Sequence, residues 1–309
     1  MSDVVAADVG RRRRASFADR DGLLARVLLL PSVLYIVLLV GFPFVLAIAF
    51  SFSDVTAGDP SIDWVGLRNY RAIWHDPVFR QALGNTFVFT AITMVSTIVL
   101  ANVLARILVA RFRGKWLVRF LVLLPWTTPA AVSAITWLFM LDNLLSPIDW
   151  ILQHVGLLAD GRHTIWLGKP GLAKASVIAV QVWRLVPLAA VIIMAGLTAI
   201  PDDIDDAVAI DGAGFWRKQW EITLPLTLPV IAVAALFGAI LTFTDMSVVW
   251  VLTRGGPVNE TQVLASWAYT KAIGGGDLAQ GAAVALFLLP LLLAATVAIL
   301  RAVRGMEVR

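Results

Sequence analysis

Residues 228–252 read LPVIAVAALFGAILTFTDMSVVWVL, an apolar run in which Asp245 is the one charged residue. The hydrocarbon core of a bilayer is about 30 Å thick, and an α-helix needs about 20 predominantly apolar residues to cross it. A helix that is apolar on every side belongs inside a protein core or a membrane. We therefore expect residues 228–252 to span a membrane.

The composition of the whole chain points to the same class of protein. Of its 309 residues, 59% are hydrophobic and 15% are charged, and the mean hydropathy is +0.83. Ordinary globular domains contain about 45–50% apolar and about 25% charged residues. Because so few charges cannot cover a water-soluble surface, lipid must surround most of this chain. The lack of cysteine excludes a disulfide framework, thiol catalysis and cysteine-ligated metal sites.

Six apolar runs are long enough to cross a bilayer. We predict an all-α membrane protein whose six transmembrane helices form one domain, residues 27–304. A basic tail, residues 1–26, precedes this domain, and a short tail, residues 305–309, follows it. The expected spans are residues 27–50, 86–108, 118–141, 175–200, 228–252 and 281–301.

Lysine and arginine are distributed unequally between the two sides of the membrane. The side that holds the amino terminus carries about twice as many of them as the other, so the positive-inside rule places both termini in the cytoplasm. We therefore predict a multi-pass protein of the cell (plasma or inner) membrane. The run Arg11–Arg14 is interpreted as a topogenic tail that attracts anionic lipid head groups. No nucleic-acid partner is expected, because four arginines without a folded basic surface are weak grounds for one.

The cytoplasmic loop between the fourth and fifth spans contains a short acidic segment with helix signals at both ends. Pro201 suits a helix start, and Asp202 or Asp203 can cap the helix. Gly212 or Gly214 can end it with a left-handed residue. A protein partner could approach the backbone closely over four small residues: Ala207, Ala209, Gly212 and Ala213. The alternative is a capped interfacial helix without a partner, and the physical argument leaves both open.

The same loop, residues 201–225, resembles the EAA loop of permease subunits in binding-protein-dependent ABC importers. The family pattern is E-A-A-x-x-x-G-A, followed by an aromatic residue and Leu-Pro. Asp206, Val208 and Trp220 stand where the family has Glu, Ala and Phe. The matching residues are Asp206-Ala207-Val208, Gly212-Ala213, Trp220 and Leu224-Pro225.

Further segments, in the family's order, resemble its carbohydrate branch, which includes maltose-, trehalose- and glycerol-phosphate-type permeases. The last of them, Leu252–Pro257, resembles the maltose-type first permease. The segments are Trp64–Tyr70, Asp76–Phe79, Leu124–Trp126, Ala195–Pro201 and Leu252–Pro257.

The resemblance implies a type I ABC importer permease fold and several partners. These are a second permease that forms a heterodimer with this chain, two cytoplasmic ATPase subunits and an extracytoplasmic solute-binding protein. It also implies that the loop helix docks on an ATPase and transmits ATPase closure to the spans, giving alternating access. The residues expected at that contact are Asp205, Asp206, Ala207, Asp211, Gly212 and Ala213.

Neither a nucleotide site nor a metal site is expected in this chain. It lacks the G-x-x-x-x-G-K-[ST] motif that cradles phosphates and places a magnesium-ligating hydroxyl. We therefore expect no enzymatic activity and no cofactor here, with ATP and Mg²⁺ bound by the partner ATPases. His75, His154 and His163 lie in expected outer loops without the spacing of metal ligands.

Two charges fall well inside expected spans, away from the span ends, where each is costly unless it faces protein or water. At a rise of 1.5 Å per residue, Arg184 lies about 25 Å along its span from Pro201. Asp245 lies about 24 Å along the next span from Pro229, so the two should reach the same depth. Residues three or four positions apart on each helix share a face with these charges. The candidate substrate pathway is therefore Gln181, Arg184 and Leu188 on one helix, and Gly238, Thr242 and Asp245 on the other.

In maltose-type permeases the corresponding positions line the sugar site. The resemblance therefore implies that Gln181, Arg184, Thr242 and Asp245 bind the hydroxyls of a sugar or related polyhydroxy solute, with Trp183 offering an apolar ring face. One alternative is a structural ion pair between Arg184 and Asp245. Another is that either group reaches the outer surface along its apolar stem.

Two other classes of membrane protein fit the sequence less well than the importer subunit. An ATP-independent secondary transporter or channel would be favoured by inverted repeats and broken helices, neither of which the sequence reveals. A membrane-embedded enzyme would need a nucleophile with its base, or a cluster of metal ligands, inside the spans, and no such cluster occurs. The sequence therefore predicts the membrane subunit of an ATP-driven importer.

Overall fold

The computed structural model describes residues 18–110 and 112–307, so Arg11–Arg14 lie outside the described residues. Its regular structure is helical, apart from one isolated antiparallel bridge between Ser53 and Trp64. Three π-helical segments, Val37–Gly41, Lys218–Thr223 and Thr270–Gly274, interrupt or extend the α-helices. The α-helices are α1 Ala18–Ile36, α2 Phe42–Ser51, α3 Arg68–His75, α4 Pro77–Val109, α5 Lys115–Thr127, α6 Ala130–Met140, α7 Pro147–His154, α8 Pro170–Thr198, α9 Asp202–Ile210, α10 Phe215–Arg217, α11 Leu224–Thr244, α12 Ser247–Leu252, α13 Leu264–Tyr269 and α14 Leu278–Glu307.

Within the described residues, five helical segments are long and apolar enough to cross a membrane. Helices α5 and α6 pass the same test as a bent pair, which gives six spans when the pair counts as one. The expectation of an all-α membrane protein with six spans is therefore confirmed. The five unbroken segments are Arg26–Ser51, Pro77–Val109, Pro170–Thr198, Phe215–Thr244 and Leu278–Arg301.

The third span, expected as one helix over residues 118–141, is broken in two. Helices α5 and α6 meet at an angle of 98°. Thr128, between them, is extended with ψ 133°, and Pro129 caps the second helix. Proline disfavours the helical conformation in the residue before it and has no N–H to continue the hydrogen-bond ladder, which explains the break.

The fifth span, expected over residues 228–252, begins earlier and ends earlier than predicted. It starts at Phe215, because α10 and a π-helical segment carry the helix back into the expected loop 201–225. It ends at Thr244, and Asp245 is extended with ψ 122°. The Asp245 carboxylate accepts the backbone N–H of Ser247, the first residue of the separate helix α12, at 2.7 Å.

Other helices extend past the apolar runs that defined the expected spans. Helix α4 begins at Pro77, where the Asp76 carboxylate accepts the N–H of Val78 at 2.9 Å, rather than at residue 86. Helix α1 begins within the expected tail 1–26, and α14 runs on to Glu307, beyond residue 301. Apolar runs mark the membrane crossing, whereas caps mark where a helix begins.

The chain divides into two compact units between Ala49 and Phe50. In the first unit, the apolar side chains of the first span are exposed, as a surface facing lipid would be. In the second unit, α4, α8 and α11 pack together. Small residues bring these helices close, since an added Cβ on Gly196 would meet Val230 at 3.0 Å. The alanine-rich core holds Ala101, Ala105, Leu108, Ala189, Ala190, Ile193, Ile231 and Ala234.

Candidate functional site

The two charges inside the expected spans form an ion pair. Arg184 lies in α8, and Asp245 lies at the break between α11 and α12. Arg184 Nη1 is 2.8 Å from Asp245 Oδ2, and each side chain is 14% exposed. Of the arrangements left open by the sequence, the pairing is the one present, and neither side chain extends to the outer surface.

Gln181 completes a polar network around this pair. Its side chain is 6% exposed and donates from Nε2 to Asp245 Oδ2 at 3.2 Å. Its Oε1 accepts a hydrogen bond from Arg184 Nη1 at 3.1 Å. The other carboxylate oxygen of Asp245 accepts the N–H of Ser247. A buried ion pair is tolerated only when its remaining donors and acceptors are also satisfied, and this network does so for the carboxylate.

The network borders a cavity of about 20 Å³ between α4, α8 and α11. That volume admits about one water molecule and is far too small for a sugar. The polar residues that line it are Thr86, Thr93, Gln181, Thr242 and Asp245. The hydroxyls of Thr93 and Thr242 are buried and have no hydrogen-bond partner among the described residues. They can therefore accept new polar contacts if the helices separate.

Thr93 was not expected at the site. It lies on α4, whose charges, Arg80 and Arg106, stand near the two ends of the helix, so no charge marks this part of the span. The available signal was a hydroxyl stripe at helical spacing, formed by Thr86, Thr90, Thr93 and Thr97.

Four residues singled out from the sequence do not line this cavity. Arg184 is one of them, and it meets the lining only through its contacts with Gln181 and Asp245. Leu188 is half-buried one turn beyond Arg184, and the cavity does not extend to it. Gly238 is buried against α4, where an added Cβ would lie 2.8 Å from Met94 Sδ. Trp183 packs edge-on against Trp137, with ring centroids 5.5 Å apart, and lines an apolar groove of about 830 Å³ instead.

The acidic loop segment forms the short helix α9. The expected cap by Asp202 or Asp203 is wrong, because Pro201 is the N-cap and makes no side-chain capping bond. Both aspartates lie in the first turn, where the helix dipole favours negative charge.

The carboxyl end of α9 has the left-handed glycine that the sequence predicts. Gly212 has φ +65° and its N–H bonds the carbonyl of Ala209 at 3.2 Å, while Ala213 N–H bonds the carbonyl of Val208 at 3.2 Å. These two bonds make a Schellman motif. Gly214, the other candidate, has φ −65°.

The α9 segment presents most of its side chains to the surroundings. Val208 is buried at 6% exposure, and Ala213 is half-buried. The other expected contact residues with described side chains are exposed: Asp206, Ala207, Asp211 and Gly212. The side chain of Asp205 lies outside the described residues.

Apolar residues that the sequence reasoning missed extend this surface. Ile210 is 86% exposed, Phe215 67% and Trp216 69%. The signal was the Phe-Trp pair that directly follows Gly214. Exposed carboxylates beside large exposed apolar groups form a surface suited to a protein partner.

Two of the three histidines contact carbonyl groups of their own helices. The Nδ1 atoms of His75 and His154 lie 2.8 Å from the carbonyl oxygens of Arg71 and Trp150. Over the part of the chain that the structure describes, no group of three or more His, Asp or Glu residues could hold a metal ion.

The sequence matches a known family and several characterised relatives. Residues 108–307 match the family described as "Binding-protein-dependent transport system inner membrane component". The sulfoquinovosyl glycerol transport system permease protein SmoG of Agrobacterium fabrum is 30% identical over 286 residues, 92% of this chain and 91% of that protein. The trehalose/maltose transport system permease protein MalF of Thermococcus litoralis is 30% identical over 282 residues, 91% and 94% of the two chains. The diacetylchitobiose uptake system permease protein DasB of Streptomyces coelicolor is 31% identical over 318 residues, 99% and 95%.

A solved structure has the same fold. It is a bacterial ABC transporter involved in the import of the acidic polysaccharide alginate, which aligns with a TM-score of 0.79 at 19% identity. The alignment covers 93% of this chain and 96% of that chain. At this identity the likeness establishes the fold.

Proposed function

The chain belongs to the family of binding-protein-dependent transport system inner membrane components, and on that premise we propose that it carries a sugar or related polyhydroxy solute across the cell membrane. It is a multi-pass permease subunit of an ABC importer, a transport component. We assign solute binding to the network around Arg184 and Asp245, and ATPase coupling to the α9 segment.

The proposed solute class rests on relatives and on the chemistry of the site. The named relatives transport sulfoquinovosyl glycerol, trehalose or maltose, and diacetylchitobiose, all rich in hydroxyl groups. A hydroxyl both donates and accepts hydrogen bonds. The side chains of Gln181, Arg184, Thr242 and Asp245 offer both donors and acceptors, which suits such a solute.

The ion pair gives the empty pathway a stable arrangement. With Arg184 bound to Asp245, neither of these two charges is left unpaired when solute is absent. Separation of α8 from α11 would enlarge the cavity of about 20 Å³ and let solute hydroxyls replace the pair's mutual contacts. Because Asp245 lies at a helix break, it can move without unwinding α11.

The exposed apolar surface of α9 and α10 is the observation that carries the coupling proposal. A cleft on a partner ATPase would cover Ile210, Phe215 and Trp216, and the exposed carboxylates would meet basic groups on that partner. Closure of two ATPase subunits, which bind ATP and Mg²⁺, would then displace α9 and rock the spans. A second permease would complete the pathway as a heterodimer, and a solute-binding protein would deliver the solute from the opposite side.

A pair of glycines tests this proposal. Gly212 and Gly114 are both exposed, left-handed, and without neighbours that a Cβ would meet. Alanine costs about 1–2 kcal/mol of local strain at either position. In the reconstituted assembly, Gly212→Ala should lower ATP-driven solute uptake and Gly114→Ala should preserve it. Equal uptake by the two variants would count against α9 as the coupling element.

The second candidate, an ATP-independent transporter or channel, has one observation in its favour. Two spans are broken, at Thr128 and at Asp245, a feature of secondary transporters that the sequence did not reveal. Family membership favours the importer. Solute accumulation in proteoliposomes without ATP would favour the alternative.

A further inference from the structure

The small cavity between α4, α8 and α11 has the size and the lining of a site for one internal water molecule. Its volume is about 20 Å³, and a buried water needs about 10–15 Å³ and two to four polar partners. Much of its wall is apolar and offers a water no hydrogen bond. These apolar residues are Phe89, Val177, Val248, Val249 and Val263.

Two threonine hydroxyls at the cavity differ from those of threonines nearby on the same helices. The hydroxyls of Thr86 on α4 and Thr244 on α11 each donate to the carbonyl four residues earlier in their own helix, at 2.7 and 2.9 Å. Thr93 and Thr242 line the cavity, and their hydroxyls are buried without such a bond among the described residues. A buried hydroxyl without a partner is costly, so each of these two calls for one.

The carboxylate at the cavity wall has room for one further hydrogen bond. An ionised carboxylate has about four acceptor sites. The hydrogen bonds that Asp245 accepts come from Gln181, Arg184 and Ser247. One site is therefore left for a donor. With the hydroxyls of Thr93 and Thr242 this makes three polar partners, about the number that a buried water bonds.

A metal cation fits the same cavity less well than a water molecule. Among the described residues that line it, Asp245 alone carries a charge, and Arg184 Nη1 already neutralises that charge at 2.8 Å. We propose that the cavity binds one water molecule, which bridges Thr93 on α4, Thr242 on α11 and the carboxylate of Asp245.

This water would bring a third helix into the polar network. The hydrogen bonds among Gln181, Arg184 and Asp245 join α8 to the break after α11. Thr93 lies on α4, so a bridging water extends the same network to that helix. The water therefore stabilises the packed arrangement of α4, α8 and α11, whether or not the network binds solute.

Radiolytic footprinting of the purified transporter assembly tests this inference. Hydroxyl radicals that a short X-ray pulse forms from a bound water oxidise the side chains beside it, even where bulk solvent does not reach them. Phe89 lines the cavity at 4% exposure, whereas Phe243, at 2% exposure, does not line it. Mass spectrometry should find Phe89 oxidised and Phe243 protected. Thr93→Val and Thr242→Val should each abolish most of the oxidation at Phe89.

Thermal unfolding of the same variants gives a second measurement. Valine has nearly the shape of threonine, so each substitution removes a hydroxyl without changing the packing. Thr93→Val and Thr242→Val should each lower the unfolding midpoint by about 2 °C, because each removes a hydrogen bond to the water. Thr97→Val is the matched control. Thr97 is buried on α4, its hydroxyl has no partner among the described residues, and it does not line the cavity. Its substitution should leave the midpoint unchanged or raise it.

Four outcomes would overturn the inference. Oxidation of Phe89 no greater than that of Phe243 would show that no water is bound beside it. An unchanged or raised midpoint in both Thr93→Val and Thr242→Val would show that neither hydroxyl bonds a water. An equal fall in Thr97→Val would show an effect of threonine hydroxyls that does not depend on the cavity. A wild-type midpoint that rises when Na⁺ replaces K⁺ at constant ionic strength would show a sodium site.

Discussion

Arg184 and Asp245, which are 61 residues apart in sequence, are joined by a hydrogen-bonded ion pair of 2.8 Å inside the membrane-spanning region. Asp245 also accepts the N–H of Ser247, the first residue of α12, so one side chain both neutralises a charge and makes a contact at the break of a span. A group with both roles ties the position of α8 to the bend of the fifth span. A movement of α8 must therefore displace Asp245, and a change in the bend of the fifth span must displace Arg184.

Removing one member of this pair should affect both stability and transport. Arg184→Ala leaves the Asp245 carboxylate without its charged partner, at a cost of about 3–5 kcal/mol in the free energy of unfolding. Asp245→Ala should cost a similar amount. We expect a lowered thermal unfolding midpoint and loss of solute uptake in both variants.

A double variant separates the structural role of the pair from solute binding. Replacing both residues with apolar ones, Arg184→Met with Asp245→Leu, should recover much of the lost stability. Uptake should stay low, since the polar contacts to solute remain absent. Normal uptake by the stabilised double variant would show that the pair is purely structural.

Two close helix contacts should respond differently to an added methyl group. An alanine Cβ at Gly196 would meet the branched side chain of Val230 at 3.0 Å, whereas at Gly238 it would meet the flexible end of Met94 at 2.8 Å. Because methionine can rotate away, Gly238→Ala should lower the unfolding midpoint less than Gly196→Ala, which we expect to cost about 1–3 kcal/mol. Thermal unfolding in detergent would measure both, and the reverse order would contradict the packing described here.

Two exposed tryptophans, one beside α9 and one elsewhere as its control, test the apolar part of the coupling surface. Trp216 is 69% exposed beside α9, and Trp116 is 74% exposed at the start of α5. Trp216→Ala should weaken retention of the ATPase subunits by about tenfold or more, as loss of a buried aromatic anchor does. Trp116→Ala should leave retention unchanged in the same pull-down, and an equal effect of the two would exclude a specific role for Trp216.

The salt bridge between Lys174 and Glu260 predicts a pH dependence of stability. Lys174 Nζ lies 2.5 Å from Glu260 Oε2, and this contact lowers the pKa of Glu260 below its ordinary 4.5. A lowered folded-state pKa stabilises the fold above pH 4.5, and that contribution is lost as the pH falls through the folded value.

The variant Glu260→Gln isolates this contribution. The wild type should unfold at a higher temperature than Glu260→Gln near pH 7, and the difference should vanish in acid as the carboxylate protonates. In a Lys174→Met background, adding Glu260→Gln should no longer lower the unfolding temperature near pH 7, because Glu260 has already lost its partner. A gap between wild type and Glu260→Gln that persists in strong acid would disprove the assignment.

The sequence was sufficient for the class of protein and for placing two charges at equal depth, while their pairing stayed one of several alternatives. Apolar runs report lipid contact directly, and a constant rise per residue places Arg184 and Asp245 at the same level. The same reasoning could not locate the breaks near Pro129 and Asp245. Both arise from local backbone chemistry that leaves the apolar run uninterrupted.

The sites were harder to predict than the spans for a physical reason. Thr93 carries no charge, so only its packing against α8 and α11 reveals that its hydroxyl is buried without a partner. Trp183 has helical spacing compatible with the pathway, yet Trp137 holds it on another face. Side-chain direction across helices depends on the neighbour, which one sequence does not specify.

The most direct test of the coupling proposal is a cross-link from Ala207. Because the chain has no cysteine, Ala207→Cys introduces a single reactive site, and Ala207 is exposed on α9. Exposed Ala159, in the loop after α7, provides the control variant Ala159→Cys. In the assembled, transporting complex, a short thiol-reactive photo-cross-linker at position 207 should join this chain to an ATPase subunit, and the same reagent at position 159 should not. Failure to cross-link from position 207, with that cysteine still open to a hydrophilic maleimide during ATP-driven uptake, would contradict the account.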